Sequence, residues 1–220
     1  MLYIVATPIG NLKDITLRAI ETLKNVDVIA AEDTRHTQIL TREYQITTPL
    51  TSYFEQNKIS KGRHLLELLK LGKDVALVSD AGTPGISDPG YHLIRLAIDN
   101  AIPITVIPGP TAIITALVLS GLPTNKFVFE GFLSNKSISR KNRLKALSKE
   151  TRTLIFYESP HRLVALLEDI LEVMGDRQIA CCRELTKKFE EVRRERVSEA
   201  ISHFKSIGPK GEFIVLVTGA

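Results

Sequence analysis

The sequence has little cysteine and lacks the motifs that mark several common enzyme classes. Its only two cysteines, Cys181 and Cys182, are adjacent, so on a strand they would point to opposite faces and indicate neither a disulfide nor a metal site. The five histidines are scattered without metal-ligand spacing. None of the patterns G-x-G-x-x-G, G-x-x-x-x-G-K-[ST] and G-x-S-x-G occurs. These absences fit an enzyme whose cosubstrate already carries the reactive group, so that the protein mainly positions it.

Signals for secretion and membrane insertion are also missing. The first six residues lack a basic region and form too short an apolar run for a secretory leader. Residues 101–125 carry no charge, but four prolines and two glycines divide this stretch into a strand, a turn and a helix. With so few cysteines, the sequence predicts a cytoplasmic protein without a membrane span.

The order of apolar segments predicts an α/β fold. The chain has 220 residues, of which 44% are hydrophobic, so it can bury a substantial core. Short β-branched runs alternate with stretches of helical periodicity, which predicts mostly parallel, helix-covered sheet. The best candidate linker is 121–125. We therefore expect an N-terminal α/β domain over residues 1–121 and a C-terminal α/β domain over residues 122–220.

Three predicted strands run into loops rich in glycine and proline. The strand and loop pairs are Leu2–Ala6 with 7–12, Val75–Val78 with Ser79–Gly90, and Ile104–Ile107 with Pro108–Ala112. Glycine permits positive φ and close approach of a ligand to the backbone, while proline stiffens a turn. Since ligands of open α/β sheets bind beyond the carboxyl ends of the strands, these loops predict a cofactor site.

The positive charge is concentrated in one segment. Residues 136–152 contain seven Lys or Arg and one Glu, a net charge of +6 in a chain whose total is +4. A helix over Ser139–Lys149 would place Lys141, Lys145 and Lys149 on one face, with a narrow apolar stripe that predicts a surface position. A solvated helix is one interpretation of this segment; a contact surface for a polyanion is the other, and the local charge excess favours it.

Six motifs together resemble one enzyme family. They are, in order, residues 5–12 (VATPIGNL), 32–35 (EDTR), 79–90 (SDAGTPGISDPG), 108–112 (PGPTA), 157–162 (YESPHR) and 183–187 (RELTK). The set resembles the bacterial 16S ribosomal RNA 2'-O-ribose methyltransferases of the tetrapyrrole-methylase superfamily. The resemblance implies two α/β domains with a donor site in the cleft between them, S-adenosylmethionine as methyl donor and a homodimer. It further implies a cytidine ribose in the decoding region of 16S RNA, within the 30S subunit, as the target.

The same resemblance implies donor-binding residues at matching positions. In the first domain and at its end these are Pro8, Asp80, Gly82, Thr83, Ile86, Ser87, Thr111 and Ala112, and in the second domain Tyr157, Leu185 and Gly211. Backbone N–H and C=O groups can recognise a neutral adenine edge and a zwitterionic methionine tail, which agrees with loops rich in glycine.

Candidates for proton transfer and RNA contact remain open at this stage. A general base for the ribose hydroxyl would come from Asp33, Glu158, Glu184 or Lys187, or be absent. The candidate RNA contacts are Arg35, Arg140, Lys141, Arg143, Lys145, Lys149, Arg162 and Arg183. Residues 32–35 fit a helix N-cap as well as a phosphate site, and Glu158 with Arg162 fits a structural pair across one helical turn.

Two other functions stay open on sequence grounds. Carbon methylation of a porphyrin-like ring would use the same donor loops but has no need of the basic segment. A non-enzymatic RNA-binding α/β module would explain the basic segment but not three loops of the cofactor-binding type.

Overall fold

The computed structural model describes residues 1–220, which form two compact units, Met1–Thr111 and Ala112–Ala220. The boundary lies before the helix Ala112–Ser120, whereas the sequence predicts it after that helix. The reason is packing, because this helix lies against strands of the second sheet. No helix in either unit has both the length and the apolar character needed to cross a membrane.

The first unit is a five-stranded parallel sheet covered by helices on both faces. Its elements are β1 (Leu2–Val5), α1 (Leu17–Asn25), β2 (Val28–Ala31), α2 (Thr34–Glu43), β3 (Leu50–Ser52), α3 (Lys58–Lys70), β4 (Val75–Val78), α4 (Gly90–Asp99) and β5 (Ile104–Ile107). The strand order is β3-β2-β4-β1-β5, and every neighbouring pair is parallel. Alternate residues of the central strands are buried against α1 and α2 on one face and against α3 and α4 on the other. The predicted parallel, helix-covered sheet is confirmed here.

The second unit has a mixed sheet. Its elements are α5 (Ala112–Ser120), β6 (Phe127–Phe132), α6 (Ser137–Leu147), β7 (Thr153–Glu158), α7 (Pro160–Met174), β8 (Gln178–Arg183), β9 (Glu191–Arg196), α8 (Val197–Ile207) and β10 (Phe213–Val217). The strand order is β6-β7-β10-β8-β9, and only β6 and β7 are parallel. The prediction of mostly parallel sheet is wrong for this unit. No helix separates β8 from β9, and so short a connection joins only antiparallel neighbours.

Helices cover both faces of the second sheet. On one face α6, α7 and α8 bury the core that includes Leu154, Phe156 and Cys181. On the other face α5 packs against β8, β9 and β10, and the Cys182 Sγ lies 3.9 Å from the Ala116 carbonyl oxygen. Both cysteines are buried and free, and burial raises the pKa of both thiols.

The basic helix differs from its predicted position. It spans Ser137–Leu147, so Lys149 lies beyond its C-terminus and cannot share a helical face with Lys141 and Lys145. Arg140 is 5% exposed, and its Nε lies 2.6 Å from the Asp169 Oδ2 of α7, a carboxylate that is also buried. Arg140 therefore joins two helices inside the second unit, which removes it from the predicted RNA contacts.

We expect the Arg140→Ala variant to lose up to about 3–5 kcal/mol of unfolding free energy, because the buried Asp169 carboxylate keeps only the more distant Lys141 ammonium, 3.6 Å from its Oδ1. The control is Arg95→Ala, which removes the partner of Asp99 from an exposed pair at 3.0 Å and should cost less than about 1 kcal/mol. Urea denaturation of both variants measures the two losses. Equal losses would contradict a structural role for the buried pair.

Candidate functional site

The three Gly/Pro loops of the first unit meet at the carboxyl edge of its sheet. The Thr7 N–H donates to the Gly82 carbonyl at 2.9 Å, and the Gly82 N–H donates to the Thr7 carbonyl at 3.0 Å. A Cβ added at Gly82 would lie 3.6 Å from the Ile9 Cγ2 and 3.8 Å from the Pro110 carbonyl oxygen. The loops that follow β1, β4 and β5 are therefore direct neighbours, as their places after parallel strands predict.

The loop Ser79–Gly90 requires glycine at particular positions. Gly82 has φ +75° and Gly85 has φ +88°, in the left-handed region that other residues rarely adopt. A Cβ at Gly90 would come 2.8 Å from the Gly85 backbone nitrogen, closer than real Cβ contacts allow. The loop thus folds back on the start of α4 with no side chain between the two backbone segments.

Carboxylates link the ends of β2 and β4. The Asp33 N–H donates to the Asp80 Oδ1 at 3.0 Å, and the Asp80 N–H donates to the Glu32 Oε2 at 3.3 Å. Burial, with the nearby Glu32 charge, raises the pKa of Asp88 to about 6, and burial also raises the pKa of Glu32. Sequence reasoning missed Asp88 and Glu32 as functional candidates. For Glu32 the available signal was that three acids, Glu32, Asp33 and Asp80, follow the apolar runs of β2 and β4. Asp88 lies farther along the loop, where the sequence does not reveal its burial.

The helix-cap interpretation of residues 32–35 is confirmed. The Asp33 carboxylate caps α2 by accepting from the Arg35 N–H at 2.8 Å, and it also forms an ion pair with the Arg35 guanidinium at 2.7 Å. Hydrogen bonds from Arg35 lower the pKa of Asp33 to about 2, so this carboxylate is poorly suited to accept a proton at neutral pH. Arg35 itself stays exposed, and a phosphate contact for it remains a prediction.

The Glu158 and Arg162 pair is confirmed as well. Glu158 ends β7 with its side chain fully buried, and its Oε2 lies 3.2 Å from an Arg162 guanidinium nitrogen. The Glu158 Oε1 accepts from the Ser159 N–H at 2.8 Å, while Arg162 also donates to the Leu133 carbonyl at 2.6 Å. Burial raises the pKa of Glu158 despite Arg162. Arg162 is thus bound to groups inside the second unit, which is a different role from the predicted RNA contact.

Two predicted residues of the second unit, Glu184 and Lys187, belong to one ion-pair network with Glu212. The Lys187 Nζ lies 2.8 Å from the Glu212 carboxylate and 3.2 Å from the Glu184 carboxylate. Burial opposes the charge on Lys187, but these hydrogen bonds outweigh it and raise its pKa. The Glu212 N–H, which donates to the Glu184 Oε1 at 2.9 Å, and then Lys187 lower the pKa of Glu184 against its own burial. Neither group is suited to accept a proton.

A Cβ at Gly211 would come 2.6 Å from the Glu184 Cγ, so only glycine fits there.

Acidic residues neutralise much of the basic segment. Lys141 pairs with Glu172 at 2.6 Å, and Arg143 pairs with Glu130 at 2.7 Å. These acids lie outside the segment, so its local charge excess is smaller than the sequence count indicates. Lys145 and Lys149 are exposed and form no ion pair. They are the members of the predicted cationic face that remain available to a polyanion.

The predicted donor residues fall into two groups, one in each unit. In the first unit the loops after β1 and β4 bring together Pro8, Asp80, Gly82, Thr83, Ile86 and Ser87; Thr111 ends that unit, and Ala112 begins α5 in the second. In the second unit Phe213 is paired with both Glu158 and Arg183, which places the end of β7, the start of β10 and the end of β8 side by side. Tyr157, Gly211 and Leu185 therefore lie along one sheet edge.

Arg183 lies there too, with its Nε 2.6 Å from the Lys210 carbonyl oxygen and a guanidinium nitrogen 3.4 Å from the Glu191 Oε2.

We expect Asp88→Asn to stabilise the first unit increasingly as the pH rises from about 4 to about 6, and then by a constant amount. The folded protein holds this proton more tightly than the unfolded chain, so the wild type loses stability across that window. The gain should reach about 1–2 kcal/mol after allowance for solvent screening. Thermal unfolding from pH 4 to pH 8 measures it.

The matched control for that experiment is Asp176→Asn. Hydrogen bonds from Ser198 lower the pKa of Asp176, so this substitution should destabilise the protein above the pKa of the unfolded carboxyl group. A stability difference for Asp88→Asn that does not change with pH would contradict the raised pKa.

Comparison with known proteins agrees with this architecture. A family model described as Tetrapyrrole (Corrin/Porphyrin) Methylases matches residues 1–201. A Thermotoga maritima protein named Ribosomal RNA small subunit methyltransferase I is 50% identical over 99% of this chain and 98% of its own length. A Bacillus subtilis protein of the same name is 50% identical over 100% of this chain and 75% of its own length.

Solved structures with lower identity share the fold. A diphthine synthase superposes with a TM-score of 0.77 at 14% identity, over 99% of this chain and 89% of that one. Uroporphyrin-III C-methyl transferase from Thermus thermophilus, complexed with S-adenyl homocysteine, gives a TM-score of 0.68 at 19% identity, over 98% and 96% of the two chains. At these identities the superpositions support the fold alone. The family model and the half-identical relatives go further: the chain belongs to the tetrapyrrole (corrin/porphyrin) methylase family, in the branch whose members are named ribosomal RNA small subunit methyltransferase I.

Proposed function

We propose that this protein transfers a methyl group from S-adenosylmethionine to the ribose 2'-hydroxyl of a cytidine in the decoding region of 16S ribosomal RNA. The observation that carries the proposal is the 50% identity, over almost the whole of both chains, to a relative named as a ribosomal RNA small subunit methyltransferase. An RNA of the small subunit is then the substrate, the 30S subunit is its proposed context, and the cytoplasm is the proposed location.

The Gly/Pro loops of the first unit fit such a donor. S-adenosylmethionine supplies a methyl group on a sulfonium, so the protein has to hold the donor and align the acceptor. Gly82 and Gly85 adopt positive φ, which sets the path of the loop backbone, and the N–H and C=O of Gly82 are both used in its pairing with Thr7. In this proposal the other backbone groups of these loops recognise the donor. The Thr7 and Gly82 hydrogen bonds hold two of the loops against each other, which supports a donor site whose backbone contacts would be preorganised. In this proposal Tyr157, Leu185 and Gly211 contribute the contacts of the second unit.

The acceptor hydroxyl needs a group that takes its proton. Asp33 and Glu184 have lowered pKa values, and Lys187 is held protonated by two carboxylates. The pKa of Glu158 is raised, but its side chain is fully buried. Asp88, half-buried and with a pKa of about 6, has the proton affinity that suits a base at neutral pH. We therefore add Asp88 to Glu158 as the two candidates for this role.

Neither alternative function is favoured by the relatives. Proteins that are half identical to this chain carry the ribosomal RNA name, whereas the porphyrin-methylating proteins resemble it at about 20% identity, which supports only a shared fold. A module that only binds RNA leaves the glycine-dependent loops of the first unit without a role.

We also propose a homodimer. Helix α5 is apolar on both sides: Ala116 and Leu117 are buried, while Ile114 and Val118 are 45% and 69% exposed and lie four residues apart on one face. Exposed apolar faces of this kind are often covered when subunits associate. This feature supports the dimer that the family resemblance implies.

Lys145 and Lys149 are proposed as phosphate contacts, because both are exposed and unpaired.

The activity is tested by transfer of label from methyl-tritiated S-adenosylmethionine. We expect incorporation into 30S subunits that lack the modification, none into uroporphyrinogen III, and recovery of the label as 2'-O-methylcytidine after nuclease digestion. Incorporation into uroporphyrinogen III would favour the porphyrin alternative. Donor binding without transfer to either acceptor would refute the proposed substrate, and RNA binding without donor binding would leave the binding-module alternative.

A further inference from the structure

A β-bulge in β6 changes the direction of an aromatic side chain. Phe129 pairs with Ile155, but Gly131 pairs with Phe156, so Glu130 is an extra residue in the strand. Because side chains alternate along a strand, Phe132 would point to the core face without this residue. With the bulge, Phe132 lies opposite Tyr157 and on the same face as Phe129. An ion pair between Glu130 and Arg143 of α6, with both nitrogen-to-oxygen distances at 2.7 Å, holds the bulge.

The bulge creates an aromatic surface along the edge of the second sheet. We call Phe127, Phe129, Phe132 and Tyr157 the aromatic face; all four lie on the side of the sheet opposite the core of Leu154 and Phe156. The Tyr157 ring contacts Phe129 with centroids 5.0 Å apart and Phe132 with centroids 5.5 Å apart. Phe132 is nevertheless 57% exposed and Phe127 37% exposed. Large apolar side chains that cluster and stay exposed at the surface indicate a binding site more often than a purely structural role. The exposed Phe132 ring, packed on Tyr157, is such a case.

The charges around the aromatic face suit an anionic partner. Lys126 immediately precedes β6 and Lys136 follows it before α6; both are exposed and neither forms an ion pair. The one carboxylate in the strand, Glu130, is neutralised by Arg143. An aromatic surface between two free cations matches a single-stranded nucleic acid, whose bases stack on rings while its phosphates meet lysines.

We propose that the aromatic face binds an unpaired base of the RNA substrate, with Phe132 as the stacking residue. This inference rests on the proposed function and extends it by assigning RNA recognition to three phenylalanines outside the sequence motifs, packed around Tyr157. Tyr157, a proposed donor contact, belongs to the same face, so a base stacked on Phe132 would lie next to the residues that handle the methyl donor. Stacking tolerates any base, so the surface favours unpaired over paired RNA without selecting a sequence.

The test is an affinity measurement on the full-length protein. The probe is a fluorescein-labelled single-stranded RNA with the decoding-region sequence, compared with the same RNA annealed to its complement. Phe132→Ala should weaken single-strand binding about tenfold and change duplex binding little, while Phe132→Trp should bind like the wild type. The affinity for S-adenosylhomocysteine should stay unchanged. The slope of affinity against salt should also stay unchanged, whereas Lys126→Gln with Lys136→Gln should flatten it.

Two further variants keep the result interpretable. Phe132→Leu retains apolar volume without a ring, so it should lose affinity like Phe132→Ala even if the alanine variant folds poorly. Ile207→Ala, which truncates a 54% exposed side chain at the end of α8, should bind RNA like the wild type.

Wild-type RNA affinity in Phe132→Leu, from an enzyme whose wild type methylates 30S subunits, would overturn the stacking role and leave the proposed function intact. A monomeric Phe132→Ala alongside a dimeric wild type in sedimentation would assign the aromatic face to a protein interface and also overturn it. If the wild type neither binds nor methylates RNA, the proposed function fails, and this inference fails with it.

Discussion

Two backbone hydrogen bonds between Thr7 and Gly82 determine how the first unit presents its loops. They join the segments that leave β1 and β4, neighbours at the centre of the parallel sheet, and β5 brings the third loop beside them. The pairing requires positive φ at Gly82 and room for Pro110 beside it. A side chain at this position would have to adopt an unfavourable backbone conformation within the contact. The candidate donor site therefore depends on backbone geometry more than on any one functional side chain.

Ion pairs divide the cations of this protein into those that hold its elements together and those that are free to bind a ligand. Arg140, Lys141 and Arg143 are bound by acids that come from other elements, and Arg162 by a buried carboxylate, so these cations fix helices and strand ends. In the basic segment, Lys136, Lys145 and Lys149 form no ion pair and lie exposed at the surface. Burial acts in the opposite direction on Asp88: it is the main cause that raises the pKa of this carboxyl group to about 6, with smaller contributions from the charges of Glu32 and Asp80. A count of charges along the chain reveals neither effect.

The sequence predicts the elements well where the signal is local. The bounds of β4 and β5 match the predicted strands, since each is a short β-branched or apolar run between clear breaks. The antiparallel pairing of β8 with β9 follows from their short connection. The antiparallel pairing of β7 with β10 joins segments that are distant in the sequence, so no local signal indicates it. Burial of Arg140 depends on Asp169, 29 residues away, and the orientation of Phe132 depends on one inserted residue. The burial of Arg140 and the orientation of Phe132 depend on contacts made in the folded protein, and the local sequence pattern does not reveal these contacts.

Calorimetric titration of Gly82→Val with S-adenosylhomocysteine tests the central claim most directly, since the β-branched side chain cannot easily adopt the φ of +75° that the loop pairing needs. The matched control is Gly72→Val, which carries the same strain at φ +81° in a turn where an added Cβ meets nothing within 4 Å. Both variants should retain their secondary structure by circular dichroism. We expect Gly82→Val to show no binding and Gly72→Val to bind like the wild type. Wild-type affinity in Gly82→Val would contradict a donor site built from the loops of the first unit.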